Sequence, residues 1–166
     1  MTSTQIREQR STEPEPGPED DYDLHSNIGY LLRRAHQCGS AAFQHADDTG
    51  LSVIQFATLA SLVRSGPDSQ NSLGRSVGSD AATTKGIVQR LHKRGLVDIH
   101  ADPTDRRMKT IEITDEGRAV YARGVRASRE SSEVILAPFS PGERTILVEM
   151  LQRIVATEER HLGHRQ

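Results

Sequence analysis

Residues 80–107 read DAATTKGIVQRLHKRGLVDIHADPTDRR, and this run decides the fold. Asp80 carries a side-chain oxygen that can accept from the free amides at a helix start. Gly95 suits the left-handed residue that often ends one, so Ala81 to Arg94 reads as a helix. Ile87, Val88 and Leu91 fall on one side of it and can pin it to a body. Ala82, Thr83, Thr84, Lys85, Gln89, Arg90 and Lys93 are then expected to face outward. Leu96 to Ala101 and Met108 to Thr114 alternate in the manner of strands. The polar run from Asp102 to Arg107 joins them as a hairpin loop.

A basic helix followed by an arginine-tipped hairpin has a specific use. In a helix-turn-helix one helix braces while the next enters the major groove of duplex DNA. Small and hydroxylated residues at the start of the helix let its backbone approach the bases. Gln89 has the groups to read adenine, and Arg90 those to read guanine or grip a phosphate. Arg106 and Arg107 stand at the hairpin tip and Lys109 on its return strand, and an arginine on a narrow protrusion suits the minor groove. Asp105 is expected to shape that turn and orient an arginine.

Outward from this centre the chain continues in helices. Leu24, Ile28, Leu31, Leu32, Ala35, Ala42 and Phe43 keep helical spacing from Leu24 to about Asp47. Ser52 with Gln55 forms a capping box, opening a second helix that Gly66-Pro67-Asp68 ends. A short third helix, about Gln70 to Val77, precedes the turn Gly78-Ser79-Asp80. Gly74 inside it costs about 1 kcal/mol of helix propensity, which leaves either a mobile brace or room for close packing. Thr114 caps a long helix with Asp115 and Glu116 in its first turn. Ser140, Pro141 and Glu143 open a last helix running to about His161. The predicted fold is mainly α with a small β-hairpin wing.

Charge is divided along the chain. Residues 1–23 hold seven acids and two arginines, a charge of −5, leaving nineteen basic against sixteen acidic residues, +3, on the rest. Residues 75–109 hold eight Lys or Arg against four Asp, +4. Local charge decides whether a surface attracts phosphates. Residues 1–22, with Pro14, Pro16 and Pro18, are expected to form a disordered acidic tail, and residues 23–166 a single domain. No apolar run reaches the roughly 18–20 residues of a membrane span, and no signal peptide pattern opens the chain. One cysteine cannot form an internal disulfide, so the expected location is the cytoplasm.

Four stretches together resemble the MarR family of regulators: LSVIQFATL at 51–59, LHKRGLV at 91–97, DPTDRR at 102–107 and ITDEG at 113–117. The resemblance covers roughly residues 24–162. It implies a homodimer in which helices at about 24–47 and 115–162 intertwine, flanking a winged helix-turn-helix at about 51–114. It also implies that two such modules read a pseudo-palindrome, usually as a repressor relieved by a small molecule. Arg107 then resembles the wing-tip arginine of the minor groove and Asp105 its structural partner. Thr83, Thr84 and Lys85 fall in the recognition helix, and two copies should sit about 34–36 Å apart on DNA.

The first helix is unusually polar, with Tyr30, Arg33, Arg34, His36 and Gln37. Arg33 and His36 lie one turn apart, where some relatives contact aromatic acids. Beside an apolar wall such as Phe56 they suit an aromatic carboxylate or phenolic effector, with arginine on the carboxylate. Inter-helix or inter-subunit salt bridges would use the same groups. Cys38 offers a redox-sensing alternative, since some relatives sense oxidants through one cysteine on this helix. His25, His36 and His45 are too far apart to share a metal, and His161 with His164 lacks a third ligand, so no metal or cofactor is expected. No phosphate loop, nucleophile elbow or paired-His helix points to an enzyme. A winged helix used only for protein contact is the remaining alternative, and it need not cluster cations on both helix and hairpin tip.

Overall fold

The computed structural model describes residues 22–101 and 109–162, with side chains as far as residue 157. The hairpin loop with Asp105, Arg106 and Arg107, and the acidic tail up to residue 21, lie outside the described residues. A short 3-10 turn, Leu24–Ser26, precedes helices α1 (Ile28–Ala46) and α2 (Val53–Ser65). Strand β1 (Asp68–Ser69) leads into α3 (Gln70–Ser76) and α4 (Ala81–Lys93). Strands β2 (Val97–Ala101) and β3 (Lys109–Ile113) follow, then α5 (Asp115–Leu136) and α6 (Pro141–Leu162). The chain falls into two compact units, residues 1–35 and 36–166.

In the first unit the helix does not begin at Leu24, as its spacing predicted. The Asp23 carboxylate accepts from the His25 amide at 2.9 Å and from the Ser26 hydroxyl, which winds a separate turn. Asn27 is extended, and its side-chain oxygen accepts from the Tyr30 amide at 2.9 Å, so α1 starts after it. An asparagine that bonds nearby amides offers the backbone an alternative to continuing the helix.

In the second unit the predicted caps form. Gln55 Oε1 accepts from the Ser52 amide at 2.9 Å while the Ser52 hydroxyl accepts from the Gln55 amide at 3.4 Å. Asp80 caps α4, accepting from the Thr83 amide at 2.8 Å and its hydroxyl at 2.9 Å. Gly95 follows α4 at φ 71°, the left-handed region that a side chain would strain. Before α6 the predicted capping box forms in part: Glu143 accepts from both the amide and the hydroxyl of Ser140, at 2.8 and 2.7 Å, so that hydroxyl donates to the Glu143 side chain.

The hairpin is the larger part of a three-stranded antiparallel sheet of order β1-β3-β2. Sequence reading found two strands; β1 is only Asp68 and Ser69, paired with Ile111 and Thr110, too short to show a period. In β2–β3, Val97 faces Ile113 and Ala101 faces Lys109. Ile111 and Ile113 point inward and join Leu59, Leu62, Leu73, Ile87, Leu91 and Val97 in one buried cluster. Phe43, Leu51, Val120 and Ala127 extend that cluster toward α5, where Phe56 stacks on Tyr121 with centroids 5.5 Å apart.

Glycines set how closely the layers approach, Gly74 and Gly117 among them. A Cβ on Gly74 would come within 2.9 Å of Thr84 Oγ1 and 3.0 Å of the Ser79 carbonyl oxygen, so α3 and α4 touch where no side chain fits. Gly74 therefore serves close packing, the second of its two readings. A Cβ on Gly117 would lie 2.0 Å from the Leu96 carbonyl oxygen and 2.8 Å from Ile113 Cγ1. Thr114 locks this junction, its hydroxyl donating to the Gly95 carbonyl at 2.7 Å and accepting from the Gly117 amide at 3.0 Å. Gly117→Ala must push α5 off the sheet base, so we expect a loss of at least about 3 kcal/mol, read as a lowered urea midpoint.

The amide and hydroxyl of Thr83 hold the Asp80 carboxyl below the usual carboxylate range. A depressed native pKa adds stability that is complete above the unfolded pKa, near 4, and is lost as pH falls through the native value. Asp80→Asn keeps a capping oxygen but cannot ionise. The stability of the native chain over this variant should therefore be largest near neutral pH and shrink in acid. Urea midpoints taken from about pH 2 to about pH 7 for both proteins check this.

Candidate functional site

Helix α4 presents two opposite surfaces. Ile87, Val88 and Leu91 are at most 3% exposed and fix its inner side to the core. Ala82, Thr83, Lys85, Gln89, Arg90 and Lys93 are exposed. Among the described residues, no carboxylate lies within ion-pair distance of Lys85, Arg90 or Lys93. Their charge is thus open to an external anion. Arg90 folds back along its own helix, since a Cβ on Gly86 would meet Arg90 Nη1 at 3.4 Å.

Thr84 departs from the expected outward set. It is 1% exposed, and its hydroxyl donates to the Asp80 carbonyl at 2.7 Å, as a buried hydroxyl must find a partner. In this position it packs against Gly74 and is out of reach of a base. Thr83 is exposed, but its hydroxyl proton is given to Asp80, so only its lone pairs face outward. That favours acceptance from a base amino group over donation.

The wing contributes Lys109, exposed at the first position of β3. His100 and Glu112 pair across β2 and β3 at 3.7 Å, both half exposed. Sequence reading passed over Arg75 and Arg64, exposed in the last turns of α3 and α2 and without a carboxylate partner among the described residues. For Arg75 the available signal was position on the bracing helix, since the first helix of a helix-turn-helix crosses the phosphate backbone.

The expected effector residues divide between the two units. In the first, the Tyr30 ring lies under two guanidinium groups, Arg33 at 5.4 Å and Arg34 at 5.9 Å from its centroid. Arg34 also donates to the Tyr30 hydroxyl at 3.1 Å, and His25 meets the ring edge-on at 5.7 Å. Neither arginine has a carboxylate partner among the described residues. In the second unit His36 and Gln37 are exposed, while Phe56 is half-buried between Phe43 and Tyr121. The Cys38 thiol is exposed. No cluster of three or more metal-ligating side chains occurs among the described residues, and no helix among them is long and apolar enough to cross a membrane.

Known proteins share this arrangement. Residues 49–108 match the MarR family. The HTH-type transcriptional repressor NicR of Pseudomonas putida is 37% identical over 153 residues, covering 90% of this chain and 97% of that protein. Among solved structures, a probable transcriptional regulator from Pseudomonas aeruginosa is 42% identical with a TM-score of 0.75, over 80% of this chain and 99% of that one. BpsR of Bordetella bronchiseptica, whose DNA binding is regulated by 6-hydroxynicotinic acid, is 31% identical with a TM-score of 0.75, over 80% and 96% of the two chains. The winged helix, its basic outer face and these likenesses have one conclusion: the chain belongs to the MarR family of transcription regulators.

Proposed function

We propose that this protein is a repressor that binds a pseudo-palindromic operator as a homodimer and leaves it when a small aromatic acid or phenol binds. The observation that carries the DNA reading is the two-sided α4, with a sealed inner face and open cations on the outer one. In this reading Ala82, Thr83, Gln89 and Arg90 meet base edges, while Lys85, Lys93 and Lys109 neutralise phosphates. In the same reading Arg106 and Arg107 serve the minor groove, with Asp105 orienting an arginine. The likeness to a repressor supports the direction of regulation.

A second copy is supported by helix α6. No described residue of it is buried, although Ile146, Met150 and Ile154 form one apolar stripe and Val148, Leu151 and Val155 another. The second stripe lines a groove of about 380 Å³ with Gln152 and Ala156. A helix apolar on two sides belongs in an interior, and apolar patches of this kind mark interfaces. Val134, Ile135 and Phe139, just before α6 in the chain, are exposed apolar residues as well. Ile154→Asp puts an unpaired charge there, costing about 2–5 kcal/mol of association, so sedimentation should move toward the single chain with helix content kept.

The effector reading rests on Tyr30, Arg33 and Arg34, two cations stacked on an aromatic with no internal anion. BpsR responds to an aromatic acid, which supports this class. Fluorescence anisotropy with the DNA flanking the protein's own gene tests the whole reading. Binding should weaken steeply with salt, and Lys93→Ala should lower the salt slope by about one unit. Aromatic acids, 6-hydroxynicotinic acid among them, should release the native protein and fail to release Arg33→Ala. Release by peroxide alone would transfer the sensing role to Cys38. The absence of DNA binding at low salt would leave a protein-interaction module.

A further inference from the structure

The end of α4 carries three basic residues in a row, His92, Lys93 and Arg94, that look alike in sequence and differ in the structure. His92 Nδ1 bonds the Val97 carbonyl at 2.8 Å. Lys93 is exposed and has no ion-pair partner among the described residues. Arg94 reaches back 45 residues, donating from Nη2 to the Thr49 carbonyl at 2.7 Å and from Nη1 to the Gly50 carbonyl at 3.1 Å.

The turn that receives Arg94 is itself fixed. Asp47 accepts from the Thr49 hydroxyl at 2.7 Å and from the Leu51 amide at 2.9 Å, and the Leu51 side chain is sunk in the core. The next residue, Asp48, takes Arg126 of α5 at 3.0 Å. One five-residue turn therefore holds α4 through its backbone carbonyls and α5 through its carboxylate.

We infer that Arg94 is a positioning residue for DNA binding, tying the recognition helix through the Asp47–Leu51 turn and the Asp48–Arg126 pair to α5. This rests on the reading of α4 as the DNA-reading helix. Thirteen residues at about 1.5 Å each make α4 a rod of about 20 Å. Ile87, Val88 and Leu91 pin its inner side and Thr84 seats its start against Gly74, and Arg94 adds a hydrogen-bonded tie beyond Leu91, at the exposed end of the helix. That tie limits how far the last turn can tilt about its buried side, and so the angle at which α4 meets the groove. Because the guanidinium already serves two carbonyls, its loss changes the position of α4 without changing how many phosphates the protein neutralises.

Salt dependence separates this from direct contact. In operator titrations over a range of salt, Arg94→Ala should weaken binding about fivefold to tenfold with the slope unchanged. Lys93→Ala in the same assay should lower the slope by about one unit. Arg94→Lys should recover part of the affinity, since an ammonium can reach one carbonyl. Asp48→Asn and Arg126→Ala, both on the exposed pair, should weaken binding about twofold and add less than that in the Arg94→Ala background. A slope that falls with Arg94→Ala would make Arg94 a phosphate contact and overturn the inference, and so would unchanged affinity or full additivity. Failure of the native protein to bind, or of Lys93→Ala to alter the slope, would instead strike the DNA reading beneath it.

Discussion

Helix α4 can spend its outer face on an external partner because Ile87, Val88 and Leu91 hold the inner one out of water. Burying such side chains contributes about 1.5–3 kcal/mol each, so three anchors outweigh the modest repulsion among a few exposed cations. The polar exception on that face, Thr84, needs a partner, and the Asp80 carbonyl at 2.7 Å supplies it. Its bulk needs room, which Gly74 leaves. The angle between brace and recognition helix is thus set by one hydroxyl seated over one glycine. The propensity that Gly74 forfeits, about 1 kcal/mol, is smaller than the penalty of about 1–3 kcal/mol that overpacking commonly carries.

The base of the wing follows the same logic of close approach. Strand β3 is paired on both sides, by β1 and β2, so neither of its edges is left open along the paired residues. Its inward residues Ile111 and Ile113 alternate with exposed Glu112, as a half-buried strand requires. Beneath it Gly117 lets the first turn of α5 settle onto the Leu96 carbonyl. The strands leading to the hairpin tip are therefore fixed from three directions. On the proposed DNA reading, strands fixed in this way leave less freedom to be given up on binding.

What sequence alone disclosed, and what it hid, divides by the reach of each signal. Ser52, Asp80 and Thr114 were legible as caps because each acts on an amide three residues away. The strands were legible because Ile111 and Ile113 alternate with polar neighbours. Strand β1 was hidden because two residues have no period. The break at Asn27 was hidden because Leu24 and Ile28 keep helical spacing across it. Thr84 was misplaced because its hydroxyl suggested an outward contact, although its spacing of three, four and seven from Ile87, Val88 and Leu91 puts it on their buried face, where Gly74 leaves it room. Lys93 and Arg94 could not be told apart, since their difference is the pair of carbonyls that only Arg94 can reach.

The distribution of surface chemistry has a consequence for how the molecule works. Open cations gather on α4 and at the start of β3, while the exposed apolar stripes gather on α6, so the two surfaces need different partners. If a second copy covers α6, the two recognition helices come as a pair, and α5, whose Arg126 meets Asp48, leads into α6 in each chain. Spacing between the half-sites then depends on elements that touch the turn receiving Arg94. A ligand needs no contact with DNA to act on such an assembly; it needs only to favour one spacing over another. Shifting a two-state equilibrium from 1:99 to 99:1 takes about 5.5 kcal/mol of differential binding, a large demand on a small aromatic acid. On the proposed reading, two copies of a ligand, one for each protomer, would divide that demand.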